Sequence, residues 1–195
     1  MKKIIALIAF ALIGVVTTVT FAQSNGTSRT EKKSEREAKR AEQKAQEKAM
    51  EQAAYNAAVR ALNDQKFVLE ANQVVFRRGQ NAFVTPTTNF VMMNGNRATI
   101  QIAFNTPNPG PNGIGGVTVD GTVSSLKTQM DKKGNVDCSF SVQGTGVSAQ
   151  VFIRLTNGNN KASVAVSPNF NGNRMTLNGE ILPLDQSSVF KGRAW

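Results

Sequence analysis

The sequence predicts a mainly β protein, an antiparallel meander that closes into a barrel or folds into a sandwich, carried behind a signal peptide and one long charged helix. Three observations lead there. From Phe67 onward apolar and polar residues alternate with a period of two, in short runs separated by Gly, Asn, Asp and Pro turn signals. No helical pattern interrupts those runs, so neighbouring strands are joined by turns and pair antiparallel. Upstream, the segment from Ser28 to Gln65 has no Gly or Pro and is dense in Ala, Glu, Lys, Gln and Arg, the strongest helix formers. A chain of 195 residues holds one such domain with an appendage.

The N-terminal element is expected to be a signal peptide over residues 1–22. Lys2 and Lys3 precede an apolar run from Ile4 to Val16, and Thr20 and Ala22 occupy the −3 and −1 positions of a cleavage site that leaves Gln23 as the first mature residue. The run turns threonine-rich too early for a membrane anchor, which needs roughly 20 apolar residues. With no cysteine near the junction, an acyl-anchored lipoprotein is not expected. The expected location is therefore the periplasm or cell envelope, or release to the exterior.

Residues 23–66 form the expected charged helix. Glu35 with Lys39, Glu37 with Arg40, Lys44 with Glu47 and Lys48 with Glu51 lie within one turn of each other, each pair a small gain. The N-terminal half offers only Ala38, Ala41, Ala45 and Ala49 to a partner, too little for a coiled-coil seam or a membrane-surface face. Tyr55, Ala58, Val59 and Leu62 recur at helical spacing near the end, the stripe by which the helix docks on a domain.

Residues 67–195 form the expected barrel-like domain. Phe67 to Phe76 reads as the first strand, followed by a turn and the short runs around Phe83 and Phe90. Asn94 and Gly95 mark a hairpin. In the next strand Ile100, Ile102 and Phe104 share one face, with Thr99, Gln101 and Ala103 on the other. The long run from Val117 to Met130 has Gly121 near its middle, where a bend or bulge is expected. Val136, Cys138, Phe140 and Val142 alternate next, then Val147, Ala149, Val151, Ile153 and Leu155, then the runs around Val164 and Leu177. One polar and one apolar face per strand imply a single interior. Its candidate lining is Ile100, Ile102, Phe104, Val136, Phe140, Val142, Val151 and Ile153, which either pack on each other or surround an apolar ligand.

Much chemistry is unavailable to this composition. There is no histidine and one cysteine, so neither a Ser-His-Asp triad, an imidazole ligand nor a multi-thiolate zinc site can form, and Cys138 is expected to be a buried small hydrophobe. The six carboxylates of the domain, Glu70, Asp120, Asp131, Asp137, Glu180 and Asp185, are scattered singly and read as solvated strand and turn positions. The glycine-rich stretch from Thr106 to Gly121 leads into a strand, whereas a phosphate loop leads into a helix, so it reads as a long connection stiffened by Pro107, Pro109 and Pro111. Net charge is +10, yet it is spread along the chain: 11 basic against 6 acidic residues from Phe67 on, and 10 against 7 from Gln23 to Lys66. Nucleic acid is therefore not an expected partner. Diffuse positive charge fits loose attraction to anionic envelope components. No catalytic residue, metal or cofactor is expected.

The runs FVLEANQVVFRRG, GPNGIGGVTVDG and VSPNFNGNRMTLNGEILPL and the ending SSVFKGRAW resemble a family of secreted bacterial domains of unknown function. The resemblance covers Phe67 to Trp195. It implies a small lipocalin-like barrel or half-barrel, and some family members carry a lipid-binding label inferred from that fold. The combined expectation is an exported, non-enzymatic envelope protein that binds an apolar small molecule such as a lipid, with an envelope interaction module built on a filled barrel as the alternative. Protein recovered from the cell envelope should begin at Gln23 on N-terminal sequencing, and an intact Met1 would contradict the cleavage reading.

Overall fold

The structure, a computed structural model, describes residues 28–104, 112–169 and 174–194. The proposed leader, the proline-bearing part of the glycine-rich connection and the turn after Asn169 lie outside the described residues. The chain divides into two compact units, one ending at Glu42 and one running from Gln43 onward. Helix α1 spans Ser28–Asn63. Within the first unit its described side chains are solvent-exposed, and Lys39 donates to Glu35 at 2.7 Å. No described helix is long and apolar enough to cross a membrane.

Among its described residues the second unit holds the last turns of α1 and nine strands: β1 (Lys66–Phe76), β2 (Asn81–Phe83), β3 (Phe90–Asn94), β4 (Arg97–Ala103), β5 (Gly116–Met130), β6 (Val136–Gly144), β7 (Ser148–Leu155), β8 (Lys161–Pro168) and β9 (Met175–Pro183). Every pairing is antiparallel, and each strand from β3 to β9 pairs with its sequence neighbour. β1 closes the sheet because it pairs with β3 on one side and β9 on the other, so β1 and β3 to β9 form an eight-stranded closed barrel. Of the two architectures open to the sequence, the barrel is the one adopted. β2 is an extra short strand on the far half of β1, beyond the reach of β3.

Closure demands two local irregularities. The β1–β9 register shifts between Ala71 and Gln73, a bulge that bends β1 and lets its two halves take different neighbours. Opposite Ala71 stands Gly179, where a Cβ would meet the Glu70 carbonyl oxygen at 1.9 Å, so only glycine permits this approach of β9 to β1. In β5 the expected irregularity at Gly121 falls slightly later. The register shift lies between Ser124 and Lys127, with Ser125 at φ 56°, while Gly121 itself makes room for the Gln143 carbonyl of β6.

Inside the barrel the period-two alternation delivers one apolar residue per rung. Phe67, Leu69, Val91, Met93, Ile100, Cys138, Ile153, Leu155, Val164 and Leu177 are among those that join one buried cluster. Tyr55, Ala58, Ala61 and Leu62 belong to the same cluster, with Val59 partly buried beside it. The Tyr55 hydroxyl donates to the Gly134 carbonyl in the β5–β6 turn, and Leu62 lies four residues before β1, so the helix seals the barrel end where β1 begins. Ala61 completes the stripe because it stands three residues after Ala58 on the buried face.

A second, smaller buried layer lies outside the sheet, and it corrects the expectation of one solvated face per strand. Glu70, Phe90, Gln101 and Thr118 form one outward rung across β1, β3, β4 and β5. Phe90, Gln101 and Thr118 are 0 % exposed, as is outward-facing Val68. The C-terminal segment from Ser187 to Ala194 crosses this face, where Gln101 bonds to Phe190 and Gly192 and Glu70 accepts from Ser187, while Thr118 donates to Gln101. Among the described residues no buried side-chain nitrogen or oxygen lacks a partner.

The sealing role of α1 sets an expected contrast. Leu62→Ala should lower stability in urea unfolding by about 2 to 5 kcal/mol, the cost of a cavity in a packed interior. Met50→Ala, at a side chain 70 % exposed, should leave the midpoint unchanged. Equal effects would mean that the helix does not seal the barrel.

Candidate functional site at the mouth of the barrel

The eight candidate lining residues separate into two groups. Ile100, Val136, Phe140, Val142, Val151 and Ile153 are at most 3 % exposed and pack within the interior cluster. Ile102 and Phe104 are only half-buried and lie at the opposite end of the barrel from α1. Phe76, Val84, Val147 and Met175 are likewise partly buried against the cluster, and the Phe76 and Phe104 rings stand 5.7 Å apart at a tilt of 34°. The mouth is thus bordered by apolar side chains that the strands bring to their ends but do not cover.

Beside this rim is a half-open cleft of about 590 Å³ lined by Phe83, Val84, Thr85, Thr88, Ala103, Phe104 and Ile114. Its position follows from the strand lengths. β3 begins at Phe90, while β4 continues to Ala103 and β2 occupies β1 only beyond Gln73, which leaves a gap between β2 and the end of β4. The short 3-10 helix Pro86–Thr88 and Asn89 fill the bottom of that gap. Buried Asn89 substitutes for missing strand: its backbone carbonyl accepts from the Ala71 amide of β1 at 2.8 Å, and its side-chain oxygen accepts from the Ala103 amide of β4 at 2.8 Å. Its amide nitrogen donates to the Thr85 carbonyl at 3.0 Å. Phe83 stands at the lip, 84 % exposed. Of this set only Phe104 is among the residues that alternation selects as lining: Ala103 falls on the opposite face of β4, and the others come from β2, the 3-10 turn with the two residues before it, and the end of the β4–β5 connection.

A polar network holds the wall of the cleft. Gln101 Nε2 donates to the carbonyls of Thr88 at 3.0 Å and Phe190 at 2.7 Å. Its Oε1 accepts from Thr118 Oγ1 at 2.9 Å and from the Gly192 amide at 2.7 Å. Asn112 then closes the β4–β5 connection: its side-chain oxygen accepts the amides of Ile114 and Gly116, and its backbone carbonyl accepts the Arg193 amide. Gly192 has no room for a side chain, since a Cβ would meet the Asn112 carbonyl at 2.8 Å.

Asp120 fastens the same strap electrostatically, which corrects its reading as a solvated position. It is 17 % exposed, bonded to Arg97 at 2.9 Å and to the Lys191 ammonium. Burial raises its pKa, but the hydrogen bonds and charges of Lys191 and Arg97 outweigh burial and hold the carboxyl below its usual range. Glu70 accepts from the Ser187 hydroxyl at 2.6 Å at the other end of the strap. Glu180 faces Glu70 across the β1–β9 ladder on the outer surface, not in the interior. Asp131 shapes the β5–β6 turn by accepting from the Asn135 side chain and amide and from the Lys133 amide, which keep its carboxyl below the usual range. Burial pushes the Cys138 thiol up, against a weak hydrogen bond from Thr128, so the sulfur inside the barrel is protonated.

An eight-stranded closed β-barrel sealed at one end by a helix and bordered by apolar residues at the other defines the class of fold. Within it the chain belongs to the DUF4251 family, a domain of unknown function, whose sequence profile matches residues 49–181. That span contains the docking turns of α1 and all nine strands up to Ile181. A crystal structure of a DUF4251 family protein from Bacteroides eggerthii DSM 20697 is similar to this chain, with 64% sequence identity and a TM-score of 0.65 over 76% of this chain and 99% of that one. No curated protein matches this chain.

The Asp120 tether gives the wall of the site a pH dependence. Because the folded-state pKa lies below the unfolded value, the stabilisation is complete above the ordinary carboxylate range and is lost as pH falls through the folded value. Between about pH 6 and about pH 2, protection factors of the Phe190 and Gly192 amides should fall while those of Val164 and Leu177 hold. Asp120→Asn should reproduce that loss at neutral pH. A uniform fall along the chain would contradict a local tether.

Proposed function

We propose that this protein is an exported, non-enzymatic component of the cell envelope that holds an apolar small molecule, such as a lipid chain, in the cleft at the mouth of its barrel. The observation that carries the reading is the cleft itself. About 590 Å³ falls within the range of small-molecule sites, and five of its seven lining residues are apolar, with Thr85 and Thr88 to orient a polar end. Export rests on the pattern of Lys2, Lys3 and the apolar run after them. Non-enzymatic function rests on the absence of histidine and on carboxylates engaged in turns and tethers, away from the cleft. Of the eight candidate residues this reading takes Phe104 into the cleft, with Ile102 half-buried on the adjoining rim and the other six packed in the core.

A specific observation favours the alternative, an interaction module with a filled barrel. Phe140, Val142, Val151 and Ile153 are packed against one another and against the helix-end cluster, as a purely structural core would be. Neutral Nile red and urea unfolding separate the two readings. With a ligand site at the mouth, the parent binds the dye, Phe104→Ala weakens binding at least about fivefold with a minor change in urea midpoint, and Phe140→Ala costs about 3 to 5 kcal/mol of stability. A parent that binds no dye, or a Phe104→Ala variant that binds it unchanged, would leave the interaction module as the function.

A further inference from the structure

The outer face of β5 to β8 carries a trough of about 400 Å³, on the opposite side of the sheet from the interior cluster. Two cross-strand rungs build its floor. Lys127, Ser139, Phe152 and Ala165 lie in register on one, and Ser141, Gln150 and Ser167 on the next. The β5 bulge after Ser124 sets Lys127 on this face, and Arg174 enters from the start of β9. Among the described residues its lining includes no carboxylate. The closest acid along β6, Asp137, is already engaged by Arg154 at 3.3 Å. None of the side chains of Lys127, Ser139, Ser141, Gln150 and Arg174 has a partner among the described residues, and the Phe152 ring is 42 % exposed on a strand whose other outward positions are polar.

We propose that this trough is a binding site for an acidic saccharide, separate from the cleft at the mouth. Lys127 on β5 and Arg174 just ahead of β9 both line the trough, so its two cations come from opposite edges of the set of strands that builds it. A chain carrying repeated carboxylate or sulfate groups can meet both. Between the cations the serine hydroxyls and the Gln150 amide offer donors and acceptors suited to ring hydroxyls. Phe152 offers the apolar surface on which the C–H face of a sugar ring packs. An anionic membrane fits less well, because a bilayer needs a broad face with several protruding apolar residues and this concave surface exposes one ring.

Isothermal titration with oligogalacturonate and with a heparin hexasaccharide tests the site, with neutral dextran as the uncharged comparison. The parent should bind at least one acidic chain and no dextran. Lys127→Gln with Arg174→Gln should weaken binding at least about tenfold, since two charge-assisted contacts are lost. Phe152→Ala should weaken it severalfold, and Lys132→Gln with Lys133→Gln, an equal charge loss in the β5–β6 turn, should leave it unchanged. All these side chains are exposed, so thermal midpoints should match the parent, and affinities are compared among variants for which they do. The proposal is overturned by failure of both acidic chains to bind, by equal weakening in the turn variant, by an unchanged Phe152→Ala affinity, or by capture on phosphatidylglycerol vesicles that is lost in the same trough variants.

Discussion

The pairing of β1 with β9 is the constraint on which the rest of the molecule depends. Once β1 is hydrogen-bonded on both edges, the sheet has no free edge along its main course and every inward side chain faces one enclosed volume. That arrangement rests on a glycine and a bulge. Gly179 admits the Glu70 carbonyl, and the shift between Ala71 and Gln73 turns β1 so that its first half serves β3 and its second half serves β2. A closed cylinder leaves two ends to manage, and this chain manages them differently. α1 fills one with Tyr55, Ala58, Ala61 and Leu62, while Phe76, Ile102 and Phe104 border the other.

The C-terminal strap is the second consequence of closure. β4 and β5 bear Thr99, Gln101 and Thr118 on the outside, all of them buried, and residues 187–194 run over this face with Phe190 and Gly192 bonded to Gln101. A buried amide left without partners would cost roughly 1 to 3 kcal/mol. Gln101 avoids that cost through four hydrogen bonds that tie the strap to β4, β5 and the 3-10 turn at once. Since Thr88, through Gln101, and Ile114, through Asn112 and Thr118, join this network and also line the cleft, the polar layer outside the barrel shapes the apolar site at its mouth.

The architecture was legible from local pattern. Period-two alternation from Phe67 onward located the strands, the Asn94–Gly95 pair located the β3–β4 hairpin, and the Tyr55 to Leu62 stripe located the docking surface of the helix. These signals depend only on neighbours in sequence. What escaped depends on long-range meetings: Gln101 with Gly192, Asp120 with Lys191, Glu70 with Ser187. Thr99 and Gln101 have the polarity of a solvated face, and nothing near them in sequence reveals the strap that covers it. The cleft escaped for the same reason, because it forms where β2, a turn and the end of β4 fail to meet. Of the eight residues picked by alternation, six support the core and two reach the mouth, a difference decided by where each strand stops.

A barrel packed at its helix end and accessible at its mouth is the central claim, and methyl-resolved NMR during titration with Nile red tests it most directly. Shifts should appear at Ala103, Val84 and Ile114 around the cleft, and at Ile102 on the rim. Val136, Ile153 and Leu155, packed near the helix, should not move. Shifts concentrated at those three deep methyls, with the cleft silent, would place the accessible volume inside the barrel and contradict the account.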